Sequence, residues 1–255
     1  MRAGLVGLVL LLWAGTAAAA EDPVYALYAS GDYDGAVRAG EATHTAAGYA
    51  MAARALLGQE MLRDSPCLDC LKRAEQFARR AVAADPRFAW GQLWLAVSLG
   101  YEARITGIVR ARLDDVPGQA HRALEAAIAA DPDNPYAVSA MGGWNIAIVE
   151  GGGALAARLF YGATTRKALA LFDRAVQVAA DNVSVRYQIG LSLAGFDPEK
   201  YHDRIAAEFR AAIAAKPATV YEKAIQARAA RLAALLTAHP GDDFAALVRK
   251  FEGYP

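Results

Sequence analysis

Two cysteines, four histidines, one glycine run and a few large aromatics are the parts of this 255-residue chain with obvious chemical potential. Cys67 and Cys70 are the only cysteines, and they flank a turn after Ser65-Pro66 at the head of a helix over Leu71–Ala84. In an oxidising compartment such a pair reads as a structural disulfide. It closes a very short loop, so its entropic contribution is small. The alternative is a redox pair, because a helix N-terminus lowers a thiol pKa. The thioredoxin arrangement needs a βαβ setting, and none is legible here. A c-type haem needs His directly after Cys70, where Leu71 stands.

His44, His121, His202 and His239 share no spacing that puts two of them on one helical face. They predict no metal site, and His121 is expected on a helix surface. No Gly-x-Ser-x-Gly elbow is present. Gly151-Gly-Gly153 lacks the Lys-Ser/Thr of a phosphate loop and reads as a helix break. The chain therefore predicts no enzyme, no metal and no cofactor. Trp90, Trp94, Trp144 and Tyr161 are the candidate binding residues. At helical spacing such aromatics more often build core; left exposed on a concave face, they become anchors for a peptide or an acyl chain.

The elements that must position these residues announce themselves as a recurring phrase. One copy is Ala74, Ala78, Ala81, then Asp85-Pro86. Others are Ala120, Leu124, Ala127, Asp131-Pro132, and Ala168, Phe172, Ala175 with Asp181-Asn182. A fourth is Ile205, Phe209, Ala212, Lys216-Pro217, and a weaker early one reads Gly31-Asp-Tyr33, Ala36, Gly40, Thr43. Residues at i, i+4 and i+7 form one stripe of a helix. The proline that follows three of the copies ends it. Between the copies, Phe88–Ile105, Pro135–Val149, Val183–Leu193 and Ala218–Ala238 predict further helices, and Asp242-Asp243 is expected to cap a last short one.

This phrase resembles the second helix of a tetratricopeptide repeat, and Gly31-Asp-Tyr33 resembles its inter-helix turn. The repeat takes 34 residues. Here the equivalent positions step by 38, 46, 48 and 37. The surplus falls in two insertions, Thr106–Gly118 and Gly151–Thr164, expected as short helices or ordered loops. Covering the ends of helix pairs is favoured for them over lining a groove. From Pro86 to about Leu236 the layout resembles the tetratricopeptide domain of the regulator of microtubule dynamics family and its bacterial exported relatives. Trp94-Leu-Ala, His121-Arg-Ala-Leu-Glu, Asp131-Pro-Asp-Asn-Pro135, Gly143-Trp144, Tyr161-Gly162 and Phe172-Asp-Arg-Ala175 carry that resemblance. It implies an adaptor at membrane contacts. A related mitochondrial tether is thought to hold lipid in its groove.

Residues 1–20 read as a signal peptide. Arg2 precedes an apolar run from Ala3 to Ala20, and small residues stand before Glu21. The expected destination is a bacterial periplasm, with membrane contact only through that peptide, and residues 21–255 form one helical-repeat domain. Without Arg2, one of 27 basic residues, the balance is 26 basic against 27 acidic. A neutral chain carries no footprint for nucleic acid. The expected fold is all-α, a tetratricopeptide-like α-solenoid of antiparallel helix pairs with insertions. The leading function is a scaffold holding a protein or peptide on its concave face. The alternative is a carrier for a lipid or small apolar solute; an apolar lining would favour it, and a polar ladder would favour the peptide.

Overall fold

The structure, a computed structural model, describes residues 22–237 and 239–254. The expected signal peptide lies outside the described residues. Those residues are all-α, with thirteen helices and no strand. They are α1 (Pro23–Ser30), α2 (Tyr33–Ala42), α3 (Ala46–Met61), α4 (Leu68–Ala84), α5 (Ala89–Thr106), α6 (Ile108–Leu113) and α7 (Val116–Ala130). Then follow α8 (Pro135–Tyr161), α9 (Thr165–Val178), α10 (Val183–Phe196), α11 (His202–Ala214), α12 (Val220–Leu235) and α13 (Asp242–Glu252). No single described helix is long and apolar enough to cross a membrane.

Helix starts follow local chemistry. Side chains of Asp32, Thr45, Asn134, Thr164, Asn182 and Thr219 each accept a hydrogen bond from a first-turn amide. These amides have no partner within their own helix. Asp242 departs from expectation: it is the first helical residue, with Gly241 at the cap and no side-chain cap bond. Gly31 sits in the left-handed region (φ 89°) and closes α1, so the Gly31-Asp-Tyr33 turn forms as expected. The second insertion is helical with a break in the glycine run, as expected. α8 runs on through Glu150 to Tyr161, and its break falls at Gly153 (φ 74°).

Contacts between helices define two rows. α3, α5, α8, α10 and α12 each touch the next of that set. A second row, α4, α7, α9 and α11, packs against them, and the three stripe residues of each of the four copies from Ala74 to Ala212 are buried there. The close approach has a visible cause. A Cβ at Gly190 would stand 2.6 Å from the Phe209 ring, and one at Gly142 would collide with Phe172 in the same way. A large residue on one helix thus seats into a glycine notch on its neighbour.

The ends of the chain meet. Gly31 abuts the Val220 side chain, placing α1 against α12. The Arg228 guanidinium donates to the carbonyls of Met61 (2.6 Å) and Leu62 (2.8 Å). Arg104 donates to the Glu252 carbonyl (2.8 Å), and Lys250 pairs with Asp64 (3.0 Å).

Candidate binding site

Where the ends meet, the row from α3 to α12 borders a half-open cavity of about 960 Å³. That lies at the upper end of the roughly 300–1,000 Å³ of small-molecule sites. Its wall is mainly apolar, with Leu57, Leu93, Val97, Ala140, Ile148 and Val185 among the lining side chains. Small residues keep it open. A Cβ on Gly100 would meet nothing within 4 Å.

Three of the four aromatics singled out from sequence line this space: Trp94, Trp144 and Tyr161. Trp90 is not on the wall but stacks on Trp94, centroids 5.8 Å apart. The Trp144 indole donates to the Pro117 carbonyl (3.0 Å), and its ring lies 4.4 Å from that of His121. His121 lies on the surface of α7 as expected, half-covered by this contact.

Arg54, on α3, is the residue that sequence reasoning missed. It lines the cavity beside Tyr28 and Tyr136. Its guanidinium carbon lies 4.4 Å from the Tyr28 ring centre, 5.6 Å from Trp94, 5.7 Å from Tyr25 and 5.9 Å from Trp90. Its buried Nε has no acceptor, the Tyr28 phenol is a partner for its guanidinium, and no carboxylate pairs with it among the described residues. Burial pushes the Tyr28 phenol up to about 12, so that ring is neutral near pH 7 and is no counter-ion. Tyr136 is raised by the same cause, and its hydroxyl accepts from Asn182 (2.9 Å). The sequence held one clue: Arg54 interrupts the apolar run Ala46–Leu57.

A second polar group lies on the wall at Arg104, Glu150 and Tyr254. Here the positive charge has company. Burial pushes the nearby Glu252 carboxyl up to about 7, while Arg104 pulls it down and Glu150 adds to the rise.

The two insertions form one side of the cavity. Ile108, Ala111 and Arg112 of α6 line it with Gly151, Ala156 and Phe160 of α8, so the insertions do more than cover helix ends. Arg112 donates to the Gly151 carbonyl (3.0 Å) and ties the two together. This rim shows apolar side chains to solvent: Val109, Leu113, Leu155 and Leu159 are exposed, and Phe160 reaches 80 %.

The Cys67 and Cys70 sulfurs stand at bonding distance, with Cα atoms 5.2 Å apart, as the disulfide expectation required. Glu60 lies near them, but one of its oxygens accepts the Cys67 amide (2.8 Å). With the sulfurs joined, the trio offers a metal one carboxylate. Neither cysteine lines the cavity. The chain matches no family model and no curated protein.

Proposed function

We propose that this protein is a non-enzymatic carrier that takes an elongated apolar or amphiphilic small molecule into its central cavity. The observation that carries this is the wall: a half-open, mainly apolar space of about 960 Å³, whose polar lining is a few separate groups at Arg54, Arg104, Glu150 and Arg112. Apolar surface facing a cavity is stabilised when a ligand displaces water from it. In this reading the helix pairs form a tetratricopeptide-like α-solenoid, whose stacked repeats leave a concave side. Contact between α1 and α12 would turn that side inward and help it hold a guest. Export through residues 1–20 would place the carrier in an oxidising compartment, in keeping with the Cys67–Cys70 pair.

The test is mass spectrometry of the purified protein, intact and after solvent extraction, for a copurifying lipid. Gly100→Phe and Ala147→Phe should each keep the helical fold and lose the bound molecule, since both side chains enter the cavity. A cavity that takes up no apolar probe, with or without these substitutions, would sink the carrier reading.

The exposed rim supports a second reading, the protein-binding scaffold. Contiguous exposed apolar side chains on a water-soluble surface mark interaction sites. Here the partner would meet Val109, Leu113, Leu155, Leu159 and Phe160 at the rim, not the concave side. Crosslinking from Phe160 that recovers one discrete partner, together with an empty cavity, would favour it.

A further inference from the structure

We infer that the cavity's ligand is a single-chain amphiphile with a monoanionic head, a long-chain carboxylate, and that Arg54 receives the head. This rests on the carrier reading above and specifies its ligand class.

The inference starts from an uncompensated charge. A guanidinium is always protonated and offers five N–H donors and no acceptor. Removing it from water without an anion or acceptors is costly. Arg54 has no anion among the described residues: its Nε is buried without a partner, the Tyr28 phenol is a neutral acceptor for its guanidinium, and the surrounding phenols are neutral near pH 7. Glu222 lies close enough to influence the Tyr136 phenol, but its oxygens accept from the Ala218 amide (2.6 Å) and the Ser184 hydroxyl (3.4 Å). Buried polar groups left without partners call for an explanation.

The surroundings position this cation without neutralising it. Tyr28, Tyr25, Trp90 and Trp94 offer ring contact at 4.4–5.9 Å. Aromatic faces attract a guanidinium electrostatically while leaving its N–H groups free. Its place on the wall brings the fork to the space a ligand would fill. A carboxylate matches that fork with two parallel hydrogen bonds.

One free positive charge matches one negative charge. Arg104, the other deep arginine on the wall, already has the Glu252 carbonyl and the nearby Glu252 and Glu150 carboxyls. Arg112, the third arginine on the wall, is exposed at the rim and is tied to the Gly151 carbonyl, so a doubly charged phosphate monoester would lack a second buried free cation among the described residues. The remaining wall is alkyl and aromatic and suits a hydrocarbon tail.

The experiment is a head-group series on the full chain: hexadecanoate, hexadecanol, hexadecyl phosphate and a hexadecyl ammonium, each titrated at pH 7.5 and followed by tryptophan fluorescence and calorimetry. Hexadecanoate should bind about tenfold or more tighter than hexadecanol, with the ammonium weakest. Arg54→Met should bring the acid down to the alcohol and leave the alcohol unchanged; Arg54→Lys should restore part of the difference. Equal affinity for acid and alcohol in the natural protein overturns the head-group assignment and leaves the carrier reading standing. So does a preference for the phosphate, or an acid preference that survives in Arg54→Met. Failure of all four probes to bind overturns both. The series in the natural protein decides the matter even if Arg54→Met does not fold.

Discussion

At the scale of single residues, two carboxyls make stability depend on pH in an unusual direction. Burial pushes both Glu252 and Glu102 up to about 7; Glu75 beside Glu102 adds to its rise. Glu102 also has an oxygen with no hydrogen-bond partner. Between the ordinary carboxyl range and about pH 7 the folded chain then holds more protons than the unfolded one. Stability must fall as pH rises through that window. The contribution is complete below the unfolded pKa and gone above about pH 7. The melting temperature should therefore drop between pH 5 and pH 8, and Glu252→Gln with Glu102→Gln should flatten the slope; a slope equal in both proteins would contradict the assignment. The disulfide should matter little by contrast. It closes a loop with a sequence separation of 3, so Cys67→Ser with Cys70→Ser should cost about 2 kcal/mol or less in a urea titration.

Elements of this fold hold together where a large ring meets a glycine notch, and that contact fails in two opposite ways. Gly190→Ala drives a methyl into the Phe209 ring and should cost about 1–3 kcal/mol. Phe209→Ala leaves a cavity in a fully buried site and should cost about 3–5 kcal/mol. Equilibrium denaturation measures both, and the double variant should cost less than the sum because the two residues touch. The second row was legible from sequence because Ala168, Phe172 and Ala175 repeat at helical spacing against polar neighbours. α3 was not, because Ala52 and Ala55 are buried on one side of the helix and Ala50 and Leu57 on the opposite side, which leaves no single stripe. The same uniformity hid Arg54. Its role comes from Tyr28, Trp94 and Tyr136, which lie on three other helices, and local spacing carries no trace of that. The glycine run was legible as a break, but only backbone geometry fixed it at Gly153 and let α8 continue to either side.

At the scale of the whole molecule, closure joins segments far apart in the chain. Arg228→Ala would leave the Met61 and Leu62 carbonyls without their donor and should cost about 1–3 kcal/mol. A chain ending at Leu236 would lose α13 with its buried Phe244, Val248 and Phe251, and with it the ties to Arg104 and Asp64. Calorimetry should then show a lower and broader transition, since α10 and α12 would expose the surface that α13 covers. The rim carries a different consequence. Gly107 and Gly153 hold φ values of 84° and 74°, with open space where a side chain would be. The segments they lead into, α6 and the end of α8, present much of their apolar surface to water. Local opening is cheapest where little is buried. How long a guest stays is thereby separated from how tightly it is held: alanine at Gly153, forced into a backbone region it disfavours, should alter dissociation kinetics while the equilibrium constant stays nearly fixed.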